Sequence, residues 1–123
     1  MPETPVPHIL LVDDDEAFLY SSARALEDEG FRVTSCLDYR TALPVLTGDL
    51  PVDLLIVDLV MPHAVNGFAL ARMALMRRPQ LKVIYVTGFH DVPTGEAAGP
   101  ILPKPLAAAE LVAAARQALT PGQ

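Results

Sequence analysis

The chain has a single cysteine, Cys36, among its 123 residues. That excludes an internal disulfide framework and fits a reducing, cytoplasmic setting. Long apolar runs are also missing. Ile9 to Val12 and Leu54 to Val57 extend over only a handful of residues, far short of the ~20 that a membrane-spanning helix needs. The amino-terminal Met-Pro-Glu-Thr-Pro-Val-Pro lacks the basic and apolar regions of a secretion signal. Basic charge is scarce: nine Lys and Arg stand against 15 Asp and Glu, for a net charge of −6. Non-specific nucleic-acid binding needs the opposite sign. No Gly-rich phosphate loop follows the first apolar run, which removes the usual nucleotide or flavin cradle. No nucleophile elbow supports Ser-His-Asp hydrolysis, and no two histidines have metal-ligand spacing.

What remains is one acidic domain with 51 % hydrophobic residues, enough for an ordinary core and too many for a disordered chain. The chain alternates between short apolar runs and amphipathic stretches. His8-Ile-Leu-Leu-Val12 and Asp53-Leu-Leu-Ile-Val57 read as strands buried on both faces. Phe31-Arg-Val-Thr-Ser-Cys36 alternates as a strand near a sheet edge does, Lys82-Val-Ile-Tyr-Val86 is a fourth strand, and Ile101-Leu102 a very short fifth. Helical spacing covers 16–29, where Phe18, Ala25 and Leu26 share a face and Gly30 ends the run. A second helix follows the cap Asp38 to about Leu46, short, kinked or frayed because Pro44 lies within it. Residues 67–78 and 106–119 complete the set, the last carrying Leu111, Val112, Ala115 and Leu119 as a stripe. Strand–helix alternation with such apolar central strands predicts an α/β doubly wound domain, a parallel sheet with helices on both faces.

In such a sheet the ligand site lies beyond the carboxyl ends of the strands. The first strand ends at Asp13-Asp14-Asp15, the third at Asp58 and the fourth at Thr87, while Lys104 and Pro105 follow the fifth. Carboxylates converging on one crevice repel one another unless a cation joins them, and a hard divalent ion such as Mg²⁺ suits oxygen donors near a phosphate. An aspartate facing that ion and a lysine is suited to accept a phosphoryl group. Thr87 can donate to phosphoryl oxygens and Lys104 can neutralise them. Each residue alone has a plainer reading, as cap, turn, strand or surface residue; Asp15 and Glu16 in particular suit a helix cap and first turn. Their coincidence at successive strand ends carries the weight.

Taken together, Ile-Leu-Leu-Val-Asp13-Asp14-Asp15, Leu-Leu-Ile-Val-Asp58-Leu-Val-Met-Pro62, Val86-Thr87-Gly88 and Leu-Pro-Lys104-Pro105 resemble the signature set of response-regulator receiver domains, the phosphoacceptor modules of two-component signalling. The resemblance covers 8–119, with 1–7 and 120–123 expected as flexible termini. It implies a flavodoxin-like (βα)₅ fold with strand order 2-1-3-4-5. It also implies phosphorylation of Asp58 by a histidine kinase or histidine phosphotransfer protein, followed by signalling through contact with a downstream protein. Such a module works in the cytoplasm, touches neither nucleic acid nor membrane through this chain, and catalyses only the gain and loss of its own phosphoryl group. Asp14 would bind Mg²⁺ (or Mn²⁺) directly, Asp13 mainly through water, and Asp58 and the backbone carbonyl of Val60 would complete the protein ligands. Thr87 and Lys104 would be the switch hydroxyl and the phosphate-contacting lysine. A cis Lys104–Pro105 bond is common in the family.

Three departures stand out. Thr87 and Lys104 are seventeen positions apart, shorter than usual by roughly one to one and a half helical turns. Pro93, Gly95, Gly99 and Pro100 interrupt the span. The helix between the fourth and fifth strands is therefore expected to be absent or reduced to about one turn around 94–98. Ile101 stands where receivers carry a switching aromatic, and Gly88 adds mobility, so activation is expected to reorder the 88–100 segment. The loop from Met61 to Gly67 is one residue longer than usual. Val60 and Phe89, two residues beyond Asp58 and Thr87, are apolar and cannot orient an attacking water, which predicts a long-lived aspartyl phosphate. His63 and His90 read as solvated loop residues, Arg72, Arg77 and Arg78 as a solvated helix face, and Cys36 as a packed strand residue. Competing readings are a haloacid-dehalogenase-like phosphohydrolase, which needs a second aspartate where Val60 stands, and a pseudo-receiver that binds partners without being phosphorylated.

Overall fold

The computed structural model describes residues 6–60, 66–89 and 94–120. Strands β1 (His8–Val12), β2 (Arg32–Cys36), β3 (Leu54–Asp58), β4 (Lys82–Thr87) and β5 (Ile101–Pro103) form one sheet in the order β2-β1-β3-β4-β5. Every pairing is parallel. Helices α1 (Glu16–Asp28), α2 (Tyr39–Thr47), α3 (Gly67–Arg77) and α4 (Ala108–Leu119) cover its two faces. The expected termini at 1–5 and 121–123, the loop 61–65 with His63, and 90–93 with His90 lie outside the described residues.

The central strands are continuous apolar runs because alternate side chains feed two separate cores. Leu10, Val12, Leu55, Val57, Val83 and Tyr85 meet Ala42 and Leu46 of α2 and Phe68, Leu70, Ala71 and Ala74 of α3. Ile9, Leu11, Leu54, Ile56, Ile84 and Val86 meet Leu19 and Leu26 of α1 and Leu111 and Ala115 of α4. Leu19 and Ser22, rather than Ala25, are buried in α1 beside Leu26.

Three helices begin on a side-chain cap that satisfies an otherwise orphaned N–H. Asp15 accepts from Phe18, Asp38 from Thr41 and Asn66 from Ala69. Pro44 lies inside α2, which nevertheless continues to Thr47. Arg78 departs from the solvated-face expectation. Its guanidinium is partly buried and donates to the carbonyls of Val45, Leu46 and Gly48 at 3.0–3.1 Å. It therefore closes the carboxyl end of α2, where orphan carbonyls and the helix dipole both favour a cation. Arg72 pairs with Glu96 across the surface.

Between β4 and β5 no helix occurs among the described residues. A single turn closes with the Ala97 N–H donating to the Thr94 carbonyl at 3.1 Å. The chain then lies directly against β4. A Cβ added at Gly99 would stand 1.8 Å from the Val83 carbonyl oxygen, so only glycine permits this approach. The Tyr85 hydroxyl accepts from the Ala98 N–H at 3.2 Å, and Ala97 and Ile101 pack onto the core shared by α2 and α3.

Candidate functional site

The parallel ladder continues one residue past the strands and so fixes the backbone of the site. The Asp13 N–H donates to the Cys36 carbonyl at 3.1 Å, the Leu59 N–H to the Val86 carbonyl at 2.9 Å, and the Lys104 N–H to the Thr87 carbonyl at 2.7 Å. The last of these ties the lysine to the threonine at the level of the backbone. At the start of α3, a Cβ on Gly67 would come within 2.7 Å of the Asp58 carbonyl oxygen. Glycine is what lets that helix start directly behind the aspartate.

Asp13, Asp58 and Thr87 are buried, whereas Asp14 is exposed. Asp13 Oδ1 accepts from the Asp15 N–H at 2.9 Å, and Asp58 Oδ1 from the Val60 N–H at 3.0 Å. The Lys104 Nζ lies 2.7 Å from Asp13 Oδ2 and 3.5 Å from Asp58 Oδ2. Asp13 Oδ2 is fully buried and is met by the Lys104 ammonium. Thr87 Oγ1 accepts from the Phe89 N–H at 3.1 Å, and Lys104–Pro105 is cis.

Burial pushes the Asp58 carboxyl up to about 6; the Val60 N–H and Lys104 oppose this, and the charges of Asp13 and Asp14 add to it. Burial also works against the Lys104 ammonium, but contact with Asp13, then the charges of Asp58 and Asp15, hold its pKa above the ordinary lysine value. The pocket thus holds more negative charge than one ammonium offsets. Ligand oxygens of Asp13, Asp14 and Asp58 all lie within 4.8 Å of one another. An all-oxygen donor set, with the buried carboxylates of Asp13 and Asp58 beside the exposed one of Asp14, fits a hard divalent cation such as Mg²⁺.

The residues singled out in the sequence therefore converge: Asp13, Asp14, Asp58 and Lys104 directly, with Thr87 joined to Lys104 through the backbone. Val60 and Phe89 are exposed at the rim, as is Gly88, where a side chain would meet nothing within 4 Å. Ile101 is partly buried core on the side away from solvent. Two residues emerged only in three dimensions. The Phe18 ring lies under the Lys104 Nζ, which stands 4.6 Å from its centroid, and Tyr85 binds the segment before β5. Phe18 had been read from helical spacing alone, which gives no account of what meets its ring.

Comparison with known proteins agrees with this geometry. Residues 9–116 match the family described as the response regulator receiver domain. The chain is 36 % identical over 117 residues to the C4-dicarboxylate transport transcriptional regulatory protein DctD of Rhizobium meliloti, covering 91 % of this chain and 25 % of that protein. It is 38 % identical over 84 residues to the response regulator receiver protein CpdR of Brucella abortus, covering 68 % of each. The chain thus spans about a quarter of the length of the first of these relatives. The crystal structure of a response regulator receiver protein from Sinorhizobium medicae superposes with a TM-score of 0.85 at 28 % identity, over 93 % of this chain and 94 % of that one. No helix among the described residues is long and apolar enough to cross a membrane. With its CheY-like flavodoxin fold, the chain belongs to the response regulator receiver domain family of two-component signalling.

Proposed function

We propose that Asp58 accepts a phosphoryl group from a histidine kinase or histidine phosphotransfer protein in a Mg²⁺-dependent reaction, and that the phosphorylated chain signals by protein contact. Receiver domains are signalling modules, and response regulators partner with histidine kinases. The observation that carries the reading is the buried Asp58 carboxylate, held between Lys104 and two further carboxylates at the carboxyl edge of the sheet.

One Asp58 oxygen attacks the phosphorus of a phosphohistidine. The P–O bond forms as the P–N bond breaks, and the imidazole leaves, taking a proton from solvent. A divalent cation held by Asp13, Asp14, Asp58 and the Val60 carbonyl supplies charge neutralisation for the carboxylates and the phosphoryl oxygens. The Val60 N–H orients Asp58. Lys104, already within 3.5 Å of Asp58, faces the incoming negative charge, and the Thr87 hydroxyl donates to a phosphoryl oxygen. The exposed apolar side chains of Val60 and Phe89 offer no group to activate water, so the aspartyl phosphate is long-lived. The single buried cysteine, whose thiol burial pushes up, fits a reducing cytoplasm.

The test is intact mass after incubation with a small phosphodonor and Mg²⁺. One added phosphoryl group, ~80 Da, is expected for the native chain and absent from Asp58→Asn. No adduct under conditions that modify another receiver would favour a binding scaffold. Loss of the adduct as fast as in chemotaxis-type receivers would remove the assignment of Val60 and Phe89.

A further inference from the structure

Lys104 has three neighbours of different kinds: Asp13 Oδ2 at 2.7 Å, Asp58 Oδ2 at 3.5 Å, and the Phe18 ring, whose centroid is 4.6 Å from Nζ. The two carboxylates are also the buried members of the cation-binding cluster. A divalent cation competes with the ammonium for the same two carboxylates, and its double charge favours it. A lysine side chain is long and rotates freely, and without a fixed partner its ammonium turns to water. Of these three neighbours among the described residues, the aromatic face is the one that a metal ion does not take away. Cations are drawn to such a face within about 6 Å.

Phe18 is itself held in place. Its N–H donates to the Asp15 cap at 3.2 Å, its ring is half-buried, and it packs against the core shared by α1 and α4. The cap belongs to the Asp13-Asp14-Asp15 run, so one stretch of backbone sets both the ring and two of the three clustered carboxylates, Asp13 and Asp14.

We propose that Phe18 is a positioning residue for Lys104: its ring face keeps the ammonium at the phosphoryl site when a divalent cation occupies Asp13 and Asp58. The proposal rests on the reading of the site given above, and its test separates the two.

The chain has only two lysines, Lys82 and Lys104. Selective ¹³C labelling of lysine ε-carbons therefore gives two signals, with exposed Lys82 as internal reference. In the native chain the Lys104 ε-protons are expected upfield of those of Lys82 through the ring current of Phe18, and to stay there at saturating Mg²⁺. Phe18→Leu, which keeps the apolar volume, moves them onto the Lys82 position, and Phe18→Trp restores the displacement. In parallel, Phe18→Leu slows Mg²⁺-dependent phosphorylation from a small donor about three-fold, and Phe18→Trp recovers it. Coincident lysine signals in the native chain, a displacement that Mg²⁺ abolishes, or an unchanged signal in Phe18→Leu would each overturn the proposal. If the chain takes no phosphoryl group at all, the function fails, while the lysine spectra still decide the role of Phe18.

Discussion

The two sides of the acidic pocket are built differently. On the β1 and β3 side, carboxylates are held by backbone donors one or two residues away, Asp15 to Asp13 and Val60 to Asp58. On the β4 and β5 side, position comes from a bare backbone against a strand. Gly99 touches the Val83 carbonyl, and a tyrosine hydroxyl catches the Ala98 N–H. The first side is held by these short-range bonds, whereas on the second the described residues before β5 form a single turn closed by Ala97 and Thr94. Thr87 and Lys104 keep their places because a ladder hydrogen bond joins them directly, whatever covers the flank. The residues of the acidic pocket are thus placed by strand ends and the ladder between them.

That contrast can be broken most forcefully at Gly99. Gly99→Ala forces a carbon into the Val83 backbone and should cost on the order of 3 kcal/mol in thermal or denaturant unfolding. Gly95→Ala, with nothing within 4 Å of the new carbon, should stay within about 0.5 kcal/mol. Equal effects would show that the segment does not lie against β4.

On the acidic side, the raised Asp58 carboxyl predicts a pH dependence. Its folded pKa of about 6 exceeds the ordinary 3.8, so the folded chain binds more protons than the unfolded one between those values. Stability of the metal-free chain should therefore fall as pH rises from about 4 to about 6, by on the order of 1–2 kcal/mol. Asp58→Asn should flatten this slope, and added Mg²⁺ should restore stability above pH 6 in the native chain more than in the variant. A flat profile in the native chain would remove the account of an Asp58 carboxyl raised chiefly by burial.

Tyr85→Phe removes one hydroxyl from a buried hydrogen bond, an effect of about 1 kcal/mol. It should speed hydrogen exchange at Ala98 while leaving the acidic edge unaltered. The smallest effect belongs to the Arg72–Glu96 pair. Both side chains are more than half exposed, so Arg72→Ala should change stability by less than about 0.5 kcal/mol. A larger loss would make that pair the principal tie of the 94–100 segment.

Much of this arrangement could be read in one dimension. Period-two burial made β1 and β3 unbroken apolar runs, and Asp15 and Asp38 stood where caps belong. The order of Asp13, Asp58, Thr87 and Lys104 along the chain followed the order of strand ends. The prolines and glycines between Thr87 and Lys104 agree with the single turn that the described residues form at 94–97. Arg78 was misread because helical position says which side a residue faces, not that a neighbouring helix ends within its reach. Asn66 caps α3 at a position that no apolar periodicity marks.

The sequence by itself determined the strand order of the chemistry: which residue types stand at which strand end. Local propensity and burial period act over a few residues and need no partner. Only the tertiary structure decided that Lys104 rests on Phe18, that Tyr85 reaches Ala98, and that Gly99 touches Val83. These contacts join segments that the chain brings together only through the crossover connections of a parallel sheet. Their distances depend on packing between elements, which no local pattern encodes.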